Sequence, residues 1–336
     1  MTAPSSDLDS HLGVPAETGE PSEAPGAVVS RSPLQLAARR FLKDKLSMAS
    51  LIVVLLFFIA AVVAPFAVKF GWIDPLSSNQ DLLDEFGLPI GDWGGISGDH
   101  WLGIEPGIGR DALARLWYGT TFSLAIAISA TIVAMVIGVV AGIVSGAAGG
   151  WVDVIIGRII DLTLAFPQTL MLLALSSVGL AFIHQTLGVP NGNPTAAVYV
   201  IVVLGLFGWT GIARIVRGQV LSLREREFVQ AAQMIGASRR RIYFKEILPN
   251  LWAPILVTFT LMMPAFVSAE AALSFLGVGI SAPTPTLGNV LTDALRYADS
   301  AFLYFFIPAF MIATLVVCFN LLGDGLRDAL DPKADR

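Results

Sequence analysis

Few residues of this chain have side chains and spacing suited to chemistry. None of its lysines, Lys43, Lys45, Lys69, Lys245 and Lys333, follows a glycine. The Gly-Lys-Ser/Thr end of a phosphate-binding loop is therefore missing, and the chain has no motif with which to hydrolyse ATP itself. His11, His100 and His184 are scattered without metal-ligand spacing, and each reads as a solvated or interfacial ring. Cys318 lies inside an apolar run, where it reads as a small hydrophobe, and as the single cysteine it cannot form a disulfide within the chain. No Ser/His/Asp or Cys/His grouping can be assembled. The sequence thus points to a non-catalytic protein without a metal site.

Two features remain. Glu270 is an acid in an apolar setting, flanked by Ala269, Ala271, Ala272 and Leu273. An ionisable group inside a membrane span is costly and marks function by default. Gating, a structural hydrogen bond to nearby helix ends, and proton coupling are all open to it. The second feature is a polar, basic stretch from Glu227 to Asn250, held between two strongly apolar segments. Within it, Leu223, Phe228, Ala231, Ala232 and Ile235 recur at helical spacing, which predicts an amphipathic helix over Ser222 to Ile235 with those residues as its apolar face. Gly236 offers a chain reversal, Ser238 can cap the next turn, Arg239 to Lys245 form a second helical piece, and Leu248-Pro249 ends it. Ala231 and Ala232 present little side chain, so a partner could approach the backbone closely. Charge alone allows a different reading, an interfacial helix pair whose arginines obey topology or touch anionic lipid. A nucleic-acid role is weaker, because the stripe has only Phe228, Tyr243 and Phe244 as aromatics.

The elements that must position these residues follow from composition. The chain is 55% hydrophobic and 14% charged, with a mean hydropathy of +0.72 over 336 residues, which places it in a bilayer. A hydrocarbon core of about 30 Å needs roughly 20 apolar residues per helix. Runs of that length lie near Leu46 to Phe66, Phe122 to Ala147, Ile155 to Phe182, Ala196 to Val216, Leu251 to Leu273 and Phe302 to Leu322. They are too long for barrel strands, so an all-α, polytopic membrane protein with six transmembrane helices is expected.

Arg31, Arg39, Arg40, Lys43 and Lys45 precede the first span, which puts the N-terminus in the cytoplasm. Six spans then put the C-terminus and the 217–250 loop, with Arg217, Arg224, Arg226, Arg239, Arg240, Arg241 and Lys245, on that side too. The external loop from about Gly71 to Trp117 is acidic. Residues 1–33 are rich in Pro, Ser, Ala and Glu without an apolar run, and read as a disordered tail rather than a signal peptide. Four parts follow: the tail at 1–33, a first span with its external segment at 34–117, a five-span core at 118–326 that contains the 217–250 loop, and a C-terminal tail at 327–336. Arg158 and Asp161, three apart on one helix face, read as a local ion pair.

The order of residues in the basic loop carries more than its charge. Ala231-Ala232, Gly236 and Leu248-Pro249 resemble the loop by which ABC importer permeases dock into their ATP-binding subunit. Arg214 to Arg217, Leu221 to Glu227, Gly236 to Ser238 and Ile247 to Asn250 are similar to the dipeptide/oligopeptide branch of that family. So are Trp101 to Gly103 with Gly109-Arg110-Asp111, Leu164 to Pro167, Leu273 to Gly279, Pro283 to Asn289 and Asn320 to Pro332. Gln230 departs from the usual glutamate, Glu246 from isoleucine or histidine, and Leu287 from tryptophan.

The resemblance implies the type I ABC importer permease fold in a bacterial inner membrane and import of di- or oligopeptides, with nickel, glutathione or haem as other cargoes of the branch. It implies a coupling loop of Glu227, Gln230, Ala231, Ala232, Gly236, Ala237, Ser238, Arg239, Leu248 and Pro249, and an external loop in which Gly103, Gly109, Arg110 and Asp111 seat a binding protein, cap the gate, or form a tight turn with an Arg110–Asp111 contact. The partners implied are a second permease, one or two ABC ATPases that bind ATP and Mg, and an external peptide-binding protein. An ion-driven carrier using Glu270 and a membrane scaffold are the alternatives from other classes.

Overall fold

The computed structural model describes residues 33–331; the expected N-terminal tail, but for its last residue, lies outside them. The helices in chain order are α1 (Pro33–Lys43), α2 (Lys45–Lys69), α3 (Ala112–Ala148), α4 (Gly150–Ala165), α5 (Gln168–Ala174), α6 (Ser176–Leu187), α7 (Asn193–Arg224), α8 (Glu227–Met234), α9 (Arg239–Arg241), α10 (Trp252–Phe275), α11 (Leu287–Leu295) and α12 (Phe302–Leu330). Among the described residues there is no strand, only two isolated β-bridges in the segment before α3.

Helices α2, α3, α7, α10 and α12 are each long and apolar enough to cross a membrane. The expected third span is not one helix: α4 and α5 meet at an 82° bend. Pro167 at the break has no N–H to donate and biases the residue before it out of helical geometry, and Phe166 is extended at φ −95° and ψ 135°. The ends of the other spans also differ from expectation. α3 starts at Ala112, because the Asp111 carboxylate accepts from Ala114 N–H at 2.6 Å, so a boundary at residue 117 falls inside a helix. α12 likewise runs through Leu330 into the expected C-terminal tail.

Helices α3 and α7 form the central seam. Gly138, Gly142 and Gly146, four residues apart, lie against the backbone of α7: a Cβ on them would sit 2.8 Å from Trp209 O, 2.8 Å from Ala213 O and 3.1 Å from Arg217 O. Small residues at this spacing let two membrane helices approach closely. The pairing rises in the same order on both helices, so α3 and α7 run parallel. The chain between them must return to the side from which α3 started, and α4 to α6 make that return, which gives six crossings when the broken element is counted as one.

Two faces result. The start of α2 and the end of α12 share one of them, where Arg40 Nη1 donates to Asp331 O at 3.1 Å. The end of α3 and the 225–250 segment lie on it too, and its arginines make it the basic face. Opposite lies an acidic face made by residues 70–111, the 276–301 segment and the start of α3.

Candidate functional site

On the basic face, α7 continues to Arg224, turns at Glu225 and Arg226, and restarts as α8. The predicted helix over Ser222 to Ile235 is therefore two helices. Its buried face is also narrower than predicted: Val229 and Ala232 are buried, whereas Phe228 and Ala231 are exposed. Met234 and Ile235 are 84% and 78% exposed, so Ile235 belongs to an apolar tip rather than to a packed face.

The reversal after the tip forms as the sequence predicts. Gly236 has φ +76°, a region costly for residues with a Cβ, and its surroundings are open, so the constraint there is conformational. Gly236 N–H and Ala237 N–H, both at 3.0 Å, donate to Gln233 O and Ala232 O, which satisfies the carbonyls left free at the end of α8. Ser238 Oγ then accepts from Arg241 N–H at 3.4 Å. After α9 the chain makes a π turn over Ile242–Ile247 and a 3-10 turn over Leu248–Asn250, with Ile242, Ile247 and Leu251 buried. Pro249 occupies the 3-10 turn and separates this piece from α10. Glu227 and Gln230 are exposed on α8, and Gln230 Nε2 donates to Glu225 O at 3.3 Å.

This elbow is fastened to the spans. Arg224 Nη1 donates to Gly146 O at 2.8 Å and to Ala147 O at 3.3 Å, and the Tyr243 hydroxyl donates to Ala147 O at 3.2 Å. These carbonyls end α3 and carry its negative dipole end, where cations and donors are favoured. Arg217 donates twice to Asp153, at 2.5 and 2.6 Å, and Ser145 Oγ donates to the same carboxylate at 2.5 Å, tying α7 and α3 to α4. Asp161 pairs with Arg214 at 2.8 Å and not with Arg158: a tertiary partner displaces the predicted local one.

Glu270 is fully buried. It accepts from Ser123 Oγ at 2.8 Å and from Ser274 Oγ at 2.9 Å, and Leu287 N–H donates to Ser123 Oγ at 2.9 Å. The carboxyl group thereby links α10 to α3 and to the start of α11. That start is fixed by a reciprocal cap, with Asn289 N–H on Thr286 Oγ1 at 3.0 Å and Thr286 N–H on Asn289 Oδ1 at 2.9 Å. Among the described residues no arginine or lysine forms an ion pair with Glu270.

The acidic face holds an arrangement that the sequence did not reveal. Arg110 donates to Glu105 at 2.5 and 2.8 Å. Arg115, with no exposed surface, lies 3.4 Å from Glu105 and 3.8 Å from Asp293. Burial pushes the Asp293 carboxyl above its ordinary range, and the neighbouring Glu105 charge adds to this. The predicted Arg110–Asp111 contact does not form. Asp111 caps α3 and also meets His100 Nδ1 at 2.7 Å, so His100, read as solvated or interfacial, is a partnered and part-buried ring. Gly103 and Gly109 both have positive φ, and a Cβ would come within 2.2 Å of Gly94 O or 2.6 Å of Asn79 O. The sequence singled out Arg110 beside Gly109 and Asp111, but nothing in it pointed to Glu105, Arg115 or Asp293 as its neighbours.

The profile of the family described as "Binding-protein-dependent transport system inner membrane component" matches residues 138–336, and that of the "N-terminal TM domain of oligopeptide transport permease C" matches residues 32–83. Among curated relatives, the dipeptide transport system permease protein DppC of Bacillus subtilis is 40% identical over 308 residues, 91% of this chain and 88% of that one. The oligopeptide permease OppC of Bacillus subtilis is 37% identical, covering 91% and 92%, and that of Escherichia coli K12 is 37% identical, covering 91% and 93%. The chain belongs to the binding-protein-dependent inner membrane component family. This inner membrane component shares its all-α fold with a chain of the MetNI methionine ABC transporter solved in inward-facing conformations: TM-score 0.52, 19% identity, 65% of this chain and 97% of that one. It is a multi-pass permease of the ABC importer type. The whole elbow, Glu270 and Asp293 fall inside the first profile, whereas Glu105, Arg110 and Arg115 lie between the two.

Proposed function

We propose that this permease moves di- or oligopeptides across the inner membrane of a bacterium, and that its 217–250 segment is the seat of a separate ATPase. One observation carries the coupling role: an exposed apolar tip, Met234 and Ile235, stands at a glycine reversal whose flanks are fastened to the ends of α3 and α7. A solvent-exposed pair of large apolar side chains on a polar loop fits a cleft in a partner. The small Ala231, exposed beside it, and the buried Ala232 leave the backbone approachable. Glu227, Gln230, Ala237, Ser238, Arg239, Leu248 and Pro249 shape and present that tip.

The arginines of the basic face support a cytoplasmic position for it. ATP and Mg are held by the partner ATPases, one or two in number, and this chain supplies no catalytic residue. ATP-driven closure of those subunits pulls the elbow. Because Arg224 and Tyr243 grip the last carbonyls of α3, while α7 runs unbroken into the loop, the pull turns α3 and α7 together as one packed unit. At the far end of α3, the Ser123–Glu270–Ser274 bracket holds α10 and α11 to it, so the same rotation reaches the acidic face. Glu270 therefore acts as a structural tie at the gate. A second, homologous permease completes the pathway, and an external peptide-binding protein delivers cargo to the acidic face, where Gly103, Gly109, Arg110 and Asp111 shape the receiving loop. The peptide cargo rests on the relatives named for dipeptide and oligopeptide transport.

Replacing Gly236 with Trp tests the elbow. The variant is expected to insert normally while losing both peptide uptake and co-purification of the ATPase. Wild-type uptake by that variant would remove the coupling role.

A further inference from the structure

The cations of the basic face divide into two sets. Arg214, Arg217 and Arg224 are each engaged, by Asp161, by Asp153 and by the carbonyls ending α3. Arg239, Arg240, Arg241 and Lys245 are exposed, and among the described residues their side chains form no ion pair. Beside them an apolar groove of about 340 Å³ runs along α3, lined by Val139, Val140, Ile143, Val144 and Phe244 and also by Arg239. Phe244 also lines a neighbouring cavity whose other walls are Ser238, Arg240, Arg241 and Lys245. Apolar wall and unpaired cations thus meet at one ring.

The dimensions fit one occupant. From Val139 to Ala148 the groove follows nine helical steps, about 14 Å at 1.5 Å each. A groove of that length, apolar along its wall and bordered by cations, has the make-up to take a single acyl chain with a charged head. Arg239 lines the groove together with Ala147 and Ala148 at the end of α3, and a phosphodiester headgroup there would gain charge-assisted hydrogen bonds from its guanidinium group. We infer that an anionic phospholipid of the inner leaflet occupies this groove, its acyl chain along α3 and its phosphate on Arg239 with the cations around Phe244. The elbow would then be held at the membrane surface by lipid on one side and free to meet the ATPase by its tip on the other. This inference rests on the proposed orientation, with the basic face inward.

Photoactivatable phosphatidylglycerol and phosphatidylcholine, added separately to the intact transport complex in nanodiscs, test it. Phosphatidylglycerol is expected to label peptides containing Val139 to Val144 or Phe244 at least about fivefold more than phosphatidylcholine. An Arg239→Gln/Lys245→Gln variant, and separately a Val144→Trp variant that fills the groove, are each expected to abolish that preference while leaving lipid labelling of α2 unchanged. Equal labelling by the two lipids would overturn the inference, as would absence of label together with cross-linking of Val144→Cys to a partner chain. Peptide uptake by the same preparation separates the two ideas: a complex that imports peptide but shows no headgroup preference refutes the lipid seat and leaves the proposed function standing.

Discussion

At the acidic face Glu105, Arg110 and Arg115 are 2%, 4% and 0% exposed and lie against one another and Asp293. At the basic face Arg239, Arg240, Arg241 and Lys245 all stand in the open, as do Met234 and Ile235. Both regions are charged, and both connect spanning helices, but their charges do different things. Ions removed from water persist only when held against opposite charges, so the acidic-face cluster fixes the 70–111 segment, the start of α3 and α11 to one another. Ions left in water contribute little to stability and remain available to a second body. Under the coupling proposed above, this asymmetry supplies a stiff far end, so that rotation is transmitted rather than absorbed, and a near end that can be gripped.

The sharpest way to break the contrast is to remove Glu105. Glu105→Ala leaves Arg110 and Arg115 buried without their shared counter-charge, and a loss of about 3–5 kcal/mol is expected, read as a large fall in the thermal unfolding temperature of the purified permease. A change of less than about 1 kcal/mol would mean that the cluster is already wet and no stiffer than a surface pair.

The elbow should behave otherwise. Gly236→Ala places a Cβ in the left-handed region at a cost of about 1–2 kcal/mol, in surroundings open enough to accept it. The unfolding temperature is expected to stay near that of the wild type, because the strain can be relieved by opening a locally exposed loop. Uptake and ATPase association should fall roughly tenfold, since about 1.4 kcal/mol is a factor of ten. A drop in unfolding temperature with intact uptake would reverse the roles given to the two ends. The smallest effect is expected from Arg214→Gln. Its pair with Asp161 is more than half exposed on both sides, so stability should change by less than about 1 kcal/mol. A larger loss in chemical denaturation would show that even the exposed pairs of the basic face are structural.

The legible parts of this protein were those governed by local chemistry. The positive φ of Gly236, the Ser238 cap, the isolation of Glu270 and five of the spans are written in single residues or in runs of hydropathy. The bend at Pro167 was equally local, yet it was masked by a run apolar on both sides of the break, where composition hides geometry. The apolar face of α8 was misjudged because periodicity reports which residues share a face and not whether anything covers it. Ile235 keeps the period and faces solvent.

Ion pairing was the least legible. Sequence neighbours suggested Arg158 with Asp161 and Arg110 with Asp111, but the pairs formed are Arg214 with Asp161 and Arg110 with Glu105. A charge takes the partner that the packed backbone brings nearest, and Arg214 and Asp161 are 53 residues apart. Sequence by itself determined the solvent for each segment, the helical state of the spans, the sidedness expected of the loops and the turn at the elbow, because transfer free energy and backbone sterics act residue by residue. Only the tertiary structure decided which charges are buried together, that α3 and α7 run parallel on a glycine seam, and that Arg224 and Tyr243 fasten the elbow to the end of α3. Those outcomes depend on distances between residues remote along the chain, which exist only once the helices have packed.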